Sequence, residues 1–418
     1  MADVPSSLSH GGRGGATAIR TRDGRGPPRT TGRGPGTAGA RGRAVSRILI
    51  VAGEVSGDIH AGNLLASLRD IEPELDAFGV GGDRLAQAGL DCVARSEELA
   101  HMGLVEVVRE LPRLRGILRS VVRTAEQRRP QVAVLVDSPD FNLRLAARLG
   151  KIGIPVVLYV SPQLWAWRRG RVRTVRRLAR EVLCILPFEA GFYEEHGVRA
   201  RYVGHPLLDD LDRDQLLDDP PQRFERRLAL LPGSRAMEVR QLLPTMLEGL
   251  AQLGGGEVAE AVLVEAPGVS DVVDEVLGAH PPDPRLWRAA GDERRRAHAS
   301  CGLAWTASGT ATLECALLGV PMIVGYRLRA LSAAVARRLV RVPHVALANL
   351  IAGERAAPEL LQEAWNPAQL VAATRSLAAG GADVQRRALR EVRRRLGDPG
   401  ASRRAAEAVA EYLRSADL

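Results

Sequence analysis

Short β-branched runs alternate with helical stretches, and do so twice along the chain; this narrows the choice of fold more than any other feature. The first series is carried by residues 47–52, 132–136, 156–160 and 182–186, the second by 228–231, 261–265, 303–305 and 322–325. Each run is apolar without alternation, the pattern of a strand buried on both faces. Buried strands interleaved with helices predict parallel sheets. The expected fold class is therefore α/β, with two Rossmann-like domains facing across a cleft. In such sheets ligands bind beyond the carboxyl ends of the strands, so the residues that end each run are the ones to inspect.

The run 132–136 ends in two carboxylates, Asp137 and Asp140, with Pro139 between them. Burial and neighbours at a strand end can tune a carboxylate into a general base. The competing reading is a pair of loop-capping aspartates. Asp140 follows a proline and precedes a helical run, 141–149, which suits an N-cap; Asp137 is then left to face the cleft.

Charge and composition exclude several classes. The net charge is +9, but residues 1–46 hold eight arginines against Asp3 and Asp23, leaving only +3 for the rest. A basic body built to wrap nucleic acid is not implied. Those 46 residues are rich in Gly, Arg, Pro and Thr, and cannot bury enough apolar surface to offset their ordering, so they read as a disordered tail. An anionic-surface tether, an inert extension and a misassigned start are all open for it. Four scattered cysteines and eight dispersed histidines show no metal-ligand spacing, and Lys151, the only lysine, rules out a Walker-A loop. The most apolar window, 307–326, contains Ser308, Thr310, Thr312 and Glu314, which a bilayer would reject, and the N-terminus lacks a secretory h-region.

Domain boundaries follow. Residues 47–205 form the first Rossmann-like unit, Pro-rich acidic residues 205–221 a linker, 222–400 the second unit, and 401–418 a terminal helix that packs back on the first. Gly79-Val-Gly-Gly82 is placed after the second strand, and residues 254–300 resist assignment. Residues 102–122 interleave Leu, Val and Ile with arginines; this is either a basic amphipathic helix lying on an anionic membrane or an ordinary helix with a solvated Arg face. In YVSPQLWAW (159–167) two tryptophans sit beside arginines, suited to stacking on a sugar or holding an anion, or else to core packing at a domain edge.

Two turns in the second series suit a phosphate. LLPGSR (230–235) and ASGTATLE (307–314) each leave a strand and enter a helix. Small residues let backbone N–H groups approach an anion, and helix N-termini favour negative charge. Ser234, Arg235, Ser308, Gly309 and Thr310 are the candidate donors; Glu314, facing the cleft, could accept two ribose hydroxyls. Together they favour a nucleotide diphosphate over plain turn chemistry. On the first unit, Glu54, Ser56, Ser161 and Trp165 are the acceptor-side candidates.

AGEVSGD (52–58), VDSPDFN (136–142), YVSPQLWAW (159–167), LPFE (186–189), LLPGSR (230–235), ASGTATLEC (307–315), PMIVGYR (321–327) and NLIAGE (349–354) resemble, in order, the lipid-A-disaccharide synthases. The resemblance implies an inverting glycosyltransferase of the GT-B architecture. It would move 2,3-diacylglucosamine from its UDP derivative to 2,3-diacylglucosamine 1-phosphate at the cytoplasmic face of the inner membrane. It further implies that Asp137 is the general base, that Arg235, Ser308, Gly309, Thr310, Glu314 and Asn349 contact UDP, and that residues 102–118 meet the membrane. Ala348 departs from the family, where a proline commonly precedes the asparagine, and the basic tail has no counterpart. No cofactor, metal or nucleic acid is expected, since Arg235 and helix dipoles can stand in for a cation; a homodimer is compatible. The rivals are another UDP-sugar enzyme of the same fold, such as a transferase with a polyprenyl acceptor or an epimerase, and a non-enzymatic Arg-rich binder.

Overall fold

Two parallel sheets divide the strands of the computed structural model, which describes residues 45–100, 107–166, 169–327 and 343–415. The first holds β1 (Arg47–Ala52), β2 (Asp76–Gly81), β3 (Asp91–Arg95), β4 (Val132–Val136), β5 (Val156–Tyr159), β6 (Glu181–Cys184) and β7 (Ala200–Tyr202), in the order β3-β2-β1-β4-β5-β6-β7. The second holds β8 (Phe224–Leu231), β9 (Glu260–Val264), β10 (Leu286–Ala289), β11 (Cys301–Ala307), β12 (Met322–Tyr326) and β13 (Glu359–Leu361), in the order β10-β9-β8-β11-β12-β13. In each sheet the chain runs outward one way and then returns to the middle to run outward the other way. The points where the order reverses lie between β1 and β4 and between β8 and β11. These are the places where an open α/β sheet leaves a crevice for ligand.

The central strands form because they are apolar throughout. All five residues of β4 are at most 1% exposed, and β1 is buried from Ile48 to Ala52. Burial of each such Val, Leu or Ile side chain stabilises by about 1.5–3 kcal/mol, so one charge in β4 would undo the layer. Gly79 lies inside β2 rather than after it: at φ +149° it passes so close to β1 that a Cβ would collide with the Ile50 carbonyl. Edge strands β3, β7, β10 and β13 carry Asp, Arg, Trp or Glu and are only partly buried, which hides them from a search for apolar runs. Residues 254–300 prove to be βαβα, with helices Ser270–Gly278 and Glu293–Ala299 flanking β10.

The acidic stretch 205–221 is not simply a linker. His205 caps a helix, Pro206–Arg213, accepting from the Leu207 N–H at 3.1 Å, and Pro206 takes the first helical position. Leu207, Leu208 and Leu211 are buried in a cluster that also holds Trp165, Leu231 and Leu313, so one apolar core joins the two sheets. Asp209 accepts from the backbone N–H groups of Gly400, Ala401 and Ser402 at 2.6, 2.9 and 2.9 Å, capping the last helix, Ala401–Ser415. That helix lays Ala405, Val409 and Leu413 against Leu64, Leu65 and Leu68 of the helix Val55–Ile71 and the first sheet. Both sheets and this helix belong to one compact unit, Val45–Leu418.

Candidate active site

Strand β4 ends in strain. Asp137 and Ser138 both take left-handed backbone, at φ +52° and +41°, and Val160 at the end of neighbouring β5 does so at +60°. Such conformations are uncommon for residues with a Cβ, least of all a β-branched one, and persist only where the surroundings enforce them. The surroundings are visible here. Asn142 Nδ2 donates to the carbonyls of Val136 (3.0 Å) and Asp137 (2.7 Å), and the Asp137 N–H donates to Tyr159 O at 3.1 Å. Gly53, at the end of β1, has no room for a Cβ because Ser138 Oγ would lie 2.7 Å from it. The helix Pro139–Leu149 begins two residues earlier than the sequence suggests. Ser138 occupies its N-cap and Pro139 its first position, so Asp140 is not the cap but an exposed first-turn acid paired with Arg171 at 2.7 Å.

Asp137 is half-buried, and that enclosure raises its pKa above the ordinary aspartate value; the Ser138 backbone bond and the positive fields of His60 and Arg235 oppose the rise. Glu54, which follows β1, is raised for the same reason and by repulsion from Asp137, again opposed by Arg235. Ser56, in the first turn of the next helix, is exposed. Arg235 stands at the N-cap of the helix Ala236–Gln252, beyond β8 of the second sheet. Its charge is felt by two carboxylates that end β1 and β4 of the first sheet. The two crevices therefore open toward one another.

The two Gly-containing turns differ. At the first, Gly233 sits at φ +115° with no room for a Cβ beside Glu238. Glu238 holds the Ser234 N–H at 3.1 Å and Arg235 Nη1 at 3.2 Å, so an incoming anion has to share those donors with it. At the second, Gly309 (φ +110°) is the N-cap of the helix Thr310–Leu317, and no heavy atom lies within 4 Å of where its Cβ would be. Thr312 Oγ1 donates to Gly309 O at 2.8 Å and the Ser308 N–H to Gly325 O at 3.2 Å, which fixes the turn while Thr310 stays exposed. This second turn is the more open anion seat.

Glu314 follows Thr310 by one helical turn and is only 6% exposed. His298 Nδ1 lies 3.2 Å from its Oε1 and Arg294 Nη1 4.0 Å from its Oε2. Burial works to raise its pKa, but the His298 bond and charge and the arginines outweigh burial and hold it down at about 2. Asn349 is fully buried and its amide is already engaged: Nδ2 donates to Ala357 O (2.9 Å) and Glu359 Oε1 (2.8 Å), and Oδ1 accepts from the Ala357 N–H (2.8 Å). It shapes the loop that Glu359 also ties through the Val345 and Ala346 N–H groups, so a direct side-chain contact with a nucleotide is not what this arrangement offers.

On the acceptor side, Trp165 is core rather than platform. It is 6% exposed, donates from Nε1 to Glu189 Oε1 at 2.9 Å, and meets Phe188 edge-on at 4.9 Å. Ser161 is buried at the end of the same strand, and Tyr193 fixes the intervening loop by donating to Pro162 O at 2.8 Å. Trp167 and residues 102–106 lie outside the described residues. In the described part of the arginine-rich helix Val107–Arg128, Ile117, Leu118, Val121 and Ala125 enter the core while Arg115 and Arg119 are exposed. No helix among the described residues is long and apolar enough to cross a membrane.

Some residues near the site were not singled out from the sequence. Asp58 accepts from the N–H groups of Gly82, Arg84 and Leu85 (2.7, 2.9 and 3.2 Å), tying the turn after β2 to the helix after β1. His60 and His298 have no motif around them, and each is brought to its carboxylate by the fold alone.

The family model for lipid-A-disaccharide synthetase matches residues 48–412. A lipid-A-disaccharide synthase of Anaeromyxobacter dehalogenans is 46% identical over 386 residues, spanning 89% of this chain and 99% of its own. Among solved structures, the calicheamicin glycosyltransferase CalG4 covers 90% of this chain and 100% of its own with a TM-score of 0.58 at 16% identity. A UDP-GlcNAc 2-epimerase of Methanocaldococcus jannaschii, solved with UDP-GlcNAc and UDP, covers 87% and 99% with a TM-score of 0.60 at 13% identity. At these identities the structural likeness is one of fold, two α/β units of the GT-B kind, whereas the family match extends over residues 48–412. The chain belongs to the lipid-A-disaccharide synthetase family.

Proposed function

We infer that the chain transfers 2,3-diacylglucosamine from UDP-2,3-diacylglucosamine to 2,3-diacylglucosamine 1-phosphate, releasing UDP and a β-1′,6-linked disaccharide 1-phosphate in lipid A biosynthesis. The observation that carries the chemistry is the facing of Asp137, beyond β4, by Arg235, beyond β8. Residues 47–205 take the acceptor and 222–400 the nucleotide sugar. The acceptor hydroxyl loses its proton to Asp137 as its oxygen bonds to the anomeric carbon. The bond from that carbon to the diphosphate breaks on the opposite face, which inverts the centre. Raised basicity suits Asp137 to this task, because a base works best with a pKa near the working pH. The Ser308–Gly309–Thr310 turn and Arg235 receive the charge that develops on the diphosphate, a role in which preorganised donors contribute several kcal/mol. Turnover is accordingly expected to survive chelation; strict dependence on added Mg²⁺ would contradict it. The acylated substrates bring the enzyme to the inner-membrane surface, with residues 102–116 as the contact, since Ile117 and Leu118 are committed to the core.

Incubation with UDP-2,3-diacylglucosamine and 2,3-diacylglucosamine 1-phosphate tests the assignment. A disaccharide phosphate, identified by mass and β-linkage, is expected. Epimerised donor, or product only with a polyprenyl acceptor, would move the chain to another reaction of the same fold.

A further inference from the structure

Behind the second crevice lies a buried chain of three side chains that the transfer itself does not use. His298, on the short helix before β11, is 0% exposed, as is Cys315. One ring nitrogen of His298 meets Glu314 Oε1 at 3.2 Å, and the other lies 3.4 Å from Cys315 Sγ. The two contacts hold the ring at both of its nitrogens. Glu314 is ionised and can only accept, so Nδ1 carries a hydrogen and donates. Burial pushes the Cys315 thiol well up, so it keeps its S–H, and its sulfur rests against Nε2. The imidazole is thereby fixed in one orientation, and Oε1 of Glu314 is engaged. Oε2, with Arg294 4.0 Å away, is the oxygen left for a ligand.

We propose that His298, itself oriented by Cys315, is a positioning residue that turns the Glu314 carboxylate so that Oε2 receives the ribose hydroxyls of the donor nucleotide. The proposal rests on the reading of the second crevice as the UDP site. A carboxylate on one helix can rotate about its side-chain torsions, and fixing it before binding removes an ordering cost that would otherwise weaken the complex. A second-layer histidine whose far nitrogen is also satisfied is how proteins hold a carboxylate in one rotamer.

Calorimetric binding of UDP and of 2′,3′-dideoxy-UDP, together with donor KM and kcat, tests this on the full chain. His298→Leu is expected to raise the UDP Kd and the donor KM about tenfold, a change of about 1.4 kcal/mol, with kcat within about twofold. It should leave dideoxy-UDP binding unchanged, because that ligand lacks the hydroxyls. His298→Asn, whose amide nitrogen falls near the place of Nδ1, should recover most of the loss, which a merely structural role would not predict. Should His298→Leu not fold, Cys315→Ala carries the same comparison, with an expected loss of about threefold for UDP alone. Wild-type UDP affinity in these variants, or equal losses for both nucleotides, overturns the role of His298. Glu314→Gln separates the two layers: if it too binds UDP normally, the ribose reading of Glu314 fails, whereas a weakened Glu314→Gln beside a normal His298→Leu sinks only the present proposal.

Discussion

Asp137 is shaped by opposing influences that can be separated by mutation. Enclosure raises its pKa, while Arg235, His60 and a backbone donor lower it. In its proposed role as base it acts ionised, so kcat/KM should fall as pH drops through its raised value, and the acidic limb should lie above the ~3.9 of an ordinary aspartate. Removing the Arg235 charge with Arg235→Gln should move that limb further up and raise the donor KM; a limb that stays put would detach Arg235 from Asp137. Stability has its own sign. A folded-state pKa above the unfolded one favours the protonated carboxyl, so that contribution is present at acid pH and lost as pH rises through the folded value. Asp137→Asn should therefore melt higher than wild type at pH 7, with the gap closing toward pH 4, as thermal unfolding at the two pH values would show.

At the level of elements, the caps decide where helices start, and one cap ties the chain's end to its middle. Asp209 alone satisfies three N–H groups at the start of Ala401–Ser415. Asp209→Ala should cost about 1–2 kcal/mol, measured by urea unfolding; a change below a few tenths would show that the packing of Val409 and Leu413 suffices without it. The inner strands could be read from the sequence because they are buried on both faces, and their apolar runs end sharply at Asp137, at the Pro232–Arg235 turn and at Ser308. The edge strands could not, since half-exposed residues such as Arg95 and Arg288 erase the run. The helix Pro206–Arg213 was hidden in a stretch whose acidic count suggested a loop, although its Pro and spaced leucines were in view. The candidate site residues near strand ends were legible for the same local reason. His60 and His298 were not, because their partners lie far off in sequence and only the folded chain brings them together.

For the whole molecule, the two sheets share one topology, and in the proposed mechanism each supplies half of the reaction at the point where its strand order reverses. The basic segment 1–44 has no part in this account. Its removal should leave turnover within about twofold while abolishing any retention on RNA, because nonspecific binding of nucleic acid follows its arginines. A large loss of turnover on its removal would mean the body does not hold the whole site. The central claim is that Asp137 in one half acts on a sugar held by the other. Turnover and UDP-sugar binding of Asp137→Asn, measured on the same preparation, test it most directly: binding should be nearly unchanged while turnover falls by roughly 10²–10⁴, and near-normal turnover in that variant would remove Asp137 from the mechanism.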